Sequence, residues 1–223
     1  MSDKPSVRSP WFWVPSLYFA QGIPYVAVMI VSVLMYKRLG VSNTDIALYT
    51  SWLNLPWVIK PFWSPFVDLL KTKRWWVATM QLLIGAGLAG VAFTIPTTFF
   101  FQASLAVFWL LAFSSATHDI AADGFYMLAL DSHEQAFFVG IRSTFYRIAI
   151  IAGQGVLVMF AGFLENSTGN IPLAWSVTFF ILGGLFLALF LYHRYILPLP
   201  KGDKPSATVT PSTILKEFFA TFA

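Results

Sequence analysis

The sequence predicts an all-α membrane protein with six transmembrane helices. Three observations predict it. Hydrophobic residues make up 57% of the 223 positions and charged residues 11%, with a mean hydropathy of +0.70. A soluble domain carries roughly 25% charged residues to solvate its surface, so a chain this poor in charge is covered by lipid. Six apolar segments, 10–36, 46–67, 75–95, 99–126, 141–164 and 173–197, each reach the about 20 residues that a crossing helix needs. Backbone groups in hydrocarbon must pair internally, which makes these segments helices, and the strict alternation of a membrane β-strand is absent.

The first segment follows Lys4 and Arg8, yet it is too long for a signal peptide and further apolar segments follow it. Gln21-Gly22-Ile23-Pro24-Tyr25 sets polar groups and a helix breaker near mid-membrane. Interrupted helices at that depth commonly build solute sites; a simple proline kink is the other reading. Residues 40–45 form a loop with Asn43 or Thr44 as the expected helix cap.

The second segment contains Lys60 between Pro56 and Pro61. A charge at the bilayer centre costs at least about 2.5–3.5 kcal/mol, so it points to a site. Lys60 stands about eight residues, roughly 12 Å, from the basic turn at 68–74. It either faces a water-filled cavity or snorkels to the headgroups. In the third segment Gly85, Gly87 and Gly90, and in the fifth Gly153 and Gly155, permit close helix contact.

The fourth segment carries Ser114-Ser115-Ala116-Thr117-His118-Asp119-Ile120-Ala121-Ala122-Asp123-Gly124. Asp119 and Asp123 are four apart and share one helix face. They are candidates for carrying a proton, with His118 beside them, or for salt bridges to Arg142 and Arg147 at the start of the fifth segment. Those arginines serve as partners, as anion ligands or as anchors at the membrane surface. Residues 131–135 and 165–172 are polar turns. After the sixth segment, 198–205 is a hydrophilic linker, and 214–223 restarts an amphipathic pattern.

Lysine and arginine counts orient the chain. With the N-terminus inside, Lys4, Arg8, Lys71, Lys73, Arg74, Arg142, Arg194, Lys201 and Lys204 lie on the inner side, against Lys37 and Arg38 outside. Both ends are therefore expected in the cytoplasm. The net charge of +4 sits in short clusters between apolar segments and is no nucleic-acid signal. The absence of cysteine excludes disulfides, thiolate metal sites and cysteine catalysis. No catalytic set, phosphate loop, metal site or cofactor site is read from the motifs, and Asn166-Ser167-Thr168 matches a glycosylation sequon.

Six crossings, cytoplasmic ends and a charged linker resemble the N-terminal half of a major facilitator transporter, whose bundle is a 3+3 inverted repeat. The turn Ser64-Pro65-Phe66-Val67-Asp68-Leu69-Leu70-Lys71-Thr72-Lys73-Arg74 resembles the signature loop of that superfamily, with serine for its leading glycine and a nonbasic residue after Asp68. Residues 56–68 and 113–124, with Arg142 to Arg147, resemble the AmpG-type muropeptide permeases and related acetyl-CoA transporters.

The resemblance implies a proton-coupled permease of the inner membrane for anhydro-muropeptides or a similar anionic solute. It implies solute binding by Gln21, Tyr25, Lys60 and Arg147, proton coupling by Asp119, Asp123 and His118, and a gating loop of Asp68, Lys73, Arg74 and Arg142. It divides the chain into a bundle, 1–197, and a linker with the start of an amphipathic helix, 198–223, leading to a missing C-terminal half. The rival readings are a membrane-embedded enzyme for lipid-linked substrates and a non-transporting fragment that assembles with another membrane protein.

Overall fold

The computed structural model describes residues 8–205 and Phe218, so the restart expected over 214–223 lies, apart from Phe218, outside the described residues, as does Lys4. The described residues form helices, turns and loops, with no strand among them. In chain order the helices are α1 (Pro10–Arg38), the short pieces α2 (Asn43–Thr50), α3 (Leu55–Ile59) and α4 (Ser64–Leu70), then α5 (Lys73–Thr94), α6 (Phe100–Ala129), α7 (Ser132–Thr168) and α8 (Ile171–Ile196). Five of these, α1, α5, α6, α7 and α8, are long and apolar enough to cross a membrane. The chain is a multi-pass, all-α membrane protein.

The second expected crossing, 46–67, is not one continuous helix. Tight 3-10 turns at Ser51–Asn54 and Lys60–Phe62 divide it. Proline occupies the first turn of three successive pieces, at Pro56, Pro61 and Pro65. Each lacks an N–H and disfavours helix in the residue before it, so the chain restarts at every proline.

Helix ends follow capping chemistry more closely than hydropathy. Ser42, rather than Asn43 or Thr44, caps α2 by accepting the Asp45 N–H at 3.1 Å. The helix α7 begins at Ser132 instead of 141 because Asp131 and Glu134 form a reciprocal capping box. The polar turn expected over 131–135 is thus mostly first-turn helix. At its far end Gly169, with φ 64°, closes α7 in the left-handed conformation that glycine adopts freely.

Packing sorts the long helices into two contacting groups, α1 on α7 and α5 between α6 and α8. Lipid tails are as apolar as leucine, so helix contact in a membrane relies on close fit of small residues. A Cβ on Gly22 would stand 2.7 Å from Ala149 Cβ, and one on Gly153 only 2.1 Å from Val26 Cγ1. Paired π turns lie beside this second contact, at Ala27–Val31 in α1 and Gly153–Leu157 in α7. Gly183 similarly meets the Gly85 carbonyl oxygen, which would lie 3.0 Å from an added Cβ.

The two ends of the bundle are chemically distinct. At one, the Tyr192 hydroxyl donates to the Phe12 carbonyl and the Arg74 guanidinium to the Arg194 carbonyl. There the Asp203 carboxylate accepts the Lys73 and Arg74 N–H groups at 2.6 and 3.0 Å. At the other, Arg38 pairs with Glu165, whose Oε1 also accepts the Trp175 indole N–H at 2.7 Å. That second joint ties the end of α1 to the end of α7 and the start of α8.

Candidate functional site

Polar side chains from four parts of the chain, charged in three of them, converge inside the bundle. On α1, Tyr18, Gln21 and Tyr25 recur at helical spacing of three and four and share a face. The helix continues through Pro24 and widens only at Ala27–Val31, so the Gln21–Tyr25 stretch is not an interruption. Facing it is the broken segment, held by two aromatic contacts. Trp57 meets Tyr25 edge to face at 5.1 Å between ring centres, and the Trp63 indole N–H donates to Thr117 Oγ1 at 3.2 Å.

These contacts place Lys60 at the turn between α3 and α4 with Nζ 3.8 Å from Asp119 Oδ2. Asp119 is buried, bordered by Gln21 and Trp57, and its Oδ1 has no hydrogen-bond partner among the described residues. A lone carboxylate at such depth is costly, and the ammonium beside it offsets that cost. One helical turn further along α6, Asp123 accepts the Tyr18 hydroxyl at 3.0 Å and lies 3.5 Å from Arg142 Nη1. The Arg142 guanidinium donates to Tyr18 Oη at 3.1 Å and sits about 5 Å from the Tyr18 and Tyr126 ring centres. Cation–π contact of this kind holds an arginine in place.

Two clefts open onto this cluster. The first, about 290 Å³, is lined by Tyr18, Gln21, Asp123, Arg142, Tyr146 and Arg147. The second, about 320 Å³, is lined by Lys60, Pro61, Ser64, Asp68, Asp123 and Gly124. Asp123 belongs to both walls. The first cleft offers two guanidinium-bearing side chains, phenols and one carboxylate, a set able to bind an anion and exchange a proton.

The other sequence-derived candidates are placed elsewhere. His118 is fully buried and turns away from the two carboxylates, its Nε2 lying 3.1 Å from Gln81 Nε2. Gln81 continues to His193 Nδ1 at 2.9–3.0 Å, and His193 Nε2 meets Ser16 Oγ at 2.9 Å. This chain joins α6, α5, α8 and α1. Asp68 pairs with Lys73, whose stem lies over Gly124, while Arg74 belongs to the end contacts with Arg194 and Asp203. Among the described residues no three His, Cys, Asp or Glu side chains group as metal ligands.

Sequence reasoning missed Tyr18, Trp57 and Tyr146 in the cluster. Tyr18 precedes Gln21 by three and Tyr146 follows Arg142 by four, so helical spacing alone could have found both. Gln81 and His193 were missed as well, though each is a polar residue within an apolar helix.

Comparison with known proteins follows the same charged segments. A protein of Rickettsia conorii designated transporter AmpG 4 is 29% identical over 181 residues, covering 77% of this chain and 41% of that protein. The anhydromuropeptide permease of Escherichia coli K12 is 28% identical over 153 residues, covering 65% of this chain and 30% of the permease. The chain thus spans less than half the length of these relatives. The match to a family, the BT1 family, runs over residues 19–210 and takes in Gln21 and Tyr25 of the first-helix face, the broken segment, the paired aspartates and the arginines of α7. With most of its length so matched, the chain belongs to the BT1 family, a relation of the major facilitators.

Proposed function

We propose that the chain is the N-terminal half of a proton-coupled secondary transporter of the inner membrane, carrying anhydromuropeptides or a similar anionic sugar–peptide solute. The observation that carries this reading is the membrane-embedded cleft walled by Arg142, Arg147 and Asp123, beside the Lys60–Asp119 pair. Ionisable groups are kept at such depth where they bind or move charge. The names of the Rickettsia and Escherichia coli relatives support transport over catalysis.

In this reading Arg147 and Gln21 take the anionic solute, with Tyr25 and Lys60 shaping and charging the neighbouring wall. Asp119 and Asp123 exchange the coupled proton, and His118 contributes through the helix contacts instead. Asp68, Lys73, Arg74 and Arg142 adjust the basic end as the bundle moves. Residues 1–197 form the bundle, with the broken stretch from α2 to α4 as its sixth crossing and both ends cytoplasmic. Residues 198–223 lead toward a second bundle that completes the solute site.

The test is uptake of labelled anhydromuropeptide into vesicles by the complete protein. Uptake should follow an imposed proton gradient, collapse with a protonophore, and fall to background with Asp123→Asn. Uptake that ignores the gradient would remove the proton role. No uptake from a correctly inserted protein would remove the solute assignment.

A further inference from the structure

We propose that the second cleft is a separate water route delivering protons to Asp123 and Asp119, while the solute occupies only the first. This rests on the transport reading above. The two clefts meet at one side chain, Asp123, which forms part of both walls. Their charge is opposite. The first sets Arg142 and Arg147 against Asp123, two positive charges and one negative, or +1. The second sets Lys60 against Asp68 and Asp123, one positive and two negative, or −1.

The one cation in the wall of the second cleft, Lys60, is also engaged, and a lysine outside that wall holds Asp68. Lys60 lies 3.8 Å from Asp119, and Lys73 pairs with Asp68. An anionic solute entering there meets two carboxylates and a lysine held by Asp119, whereas in the first cleft it meets, beside Arg142 held by Asp123, the guanidinium of Arg147, which makes no ion pair among the described residues. Like charge disfavours the wrong ligand as effectively as opposite charge favours the right one. Water and protons face no such barrier. At about 320 Å³ the second cleft has room for about ten waters, each taking roughly 30 Å³.

Two carboxylates, Asp68 and Asp123, line this wall, and a third, Asp119, lies behind it. Asp68 is exposed on α4 at the basic end, Asp123 stands half exposed on α6, and Asp119 lies one turn beyond, buried beside Lys60. The other charged or titratable groups facing these carboxylates are Lys73 of α5, Tyr18 of α1, and Arg142 and Tyr146 of α7. A proton entering from water binds a carboxylate oxygen of Asp123, and Tyr18 and Arg142 report its charge directly to the solute cleft.

Single thiols separate the two routes, because residues 1–223 contain no cysteine. Ser143→Cys marks the first cleft and Ser64→Cys the second. The complete protein, reconstituted in nanodiscs, is labelled with a neutral maleimide, with and without anhydromuropeptide, and the unsubstituted protein serves as blank. With solute at about ten times its Kd, labelling of Ser143→Cys should slow about tenfold while Ser64→Cys labels at an unchanged rate. Slowing at Ser64→Cys would place solute in the second cleft and overturn the proposal, leaving transport standing. Failure of Ser64→Cys to react at all would mean a dry cleft and would equally overturn it. Protection at neither position would remove the solute assignment and overturn the proposal with it.

Discussion

A polar side chain buried in a membrane helix is stable only where another group meets it, and two such arrangements exist side by side here. The charged one joins Lys60 to Asp119 and Arg142 to Asp123. The neutral one runs Ser16–His193–Gln81–His118 through the interior. Gln81 is its keystone, because its amide meets both imidazoles. Replacing it in Gln81→Leu leaves the His118 ring without a partner and the His193 ring with Ser16 alone, and each buried ring nitrogen left unpaired costs about 1–3 kcal/mol. The thermal midpoint in detergent should fall by about 2–4 °C per kcal/mol lost for a chain of this size, while Gln81→Glu, able to accept from both rings, loses less. Equal loss in both variants would show that the hydrogen bonds are not what matters. The charged residues were legible in the sequence because each interrupts an apolar run. The pairing of Asp123 with Arg142 was among the expectations, whereas that of Lys60 with Asp119 was not, since those two are joined only by the fold. His118, expected beside the two aspartates in proton coupling, meets Gln81 instead, because neighbours in sequence project to different sides of a helix.

At the scale of the element, hydropathy gave good centres and poor ends. Lipid-facing side chains extend past no fixed boundary, whereas a cap is a particular hydrogen bond. The Asp131–Glu134 box and the Ser42–Asp45 contact were both written in the sequence as a short side chain followed three residues later by an acid. The break in the second expected crossing was legible too, in Pro56, Pro61 and Pro65, but apolar content outweighed it. Its consequence is geometric, since a continuous helix would not set Lys60 at a turn opposite Asp119. The contact of α1 with α7 is the other decisive element pair. With Val26 Cγ1 only 2.1 Å from the position of a Gly153 Cβ, Gly153→Ala forces the paired π turns apart. Overpacking of this kind costs about 1–3 kcal/mol. Unfolding in detergent should register that loss, and Gly155→Ala, whose added carbon meets nothing within 4 Å, should not. Equal stability of Gly153→Ala and the parent would mean the two helices separate freely there.

For the whole molecule, the contacts between chain ends constrain how often the membrane is crossed. The start of α1 touches the end of α8 through Tyr192 and Phe12, and the start of α5 touches the same region through Arg74, Arg194 and Asp203. The end of α1 lies instead with the end of α7, through Arg38 and Glu165. The chain must therefore travel from the Arg38 end to the Lys73 end between these helices, and only the broken stretch from α2 to α4 is available to do so. Short helical pieces can cross where protein or a watery cavity, not lipid, meets their exposed backbone. We propose on these contacts an even number of crossings, with residues 8 and 205 on one side. Lysine and arginine then favour the cytoplasm for that side. A phosphatase that is active only outside the cytoplasm, fused after Gly169, should report activity, and fused after Lys204 it should be silent. A tag ahead of Arg8 should be shielded from external protease in the same cells. Activity at Lys204 with a shielded N-terminus would mean that α2 to α4 does not cross, and the even count would fall with it.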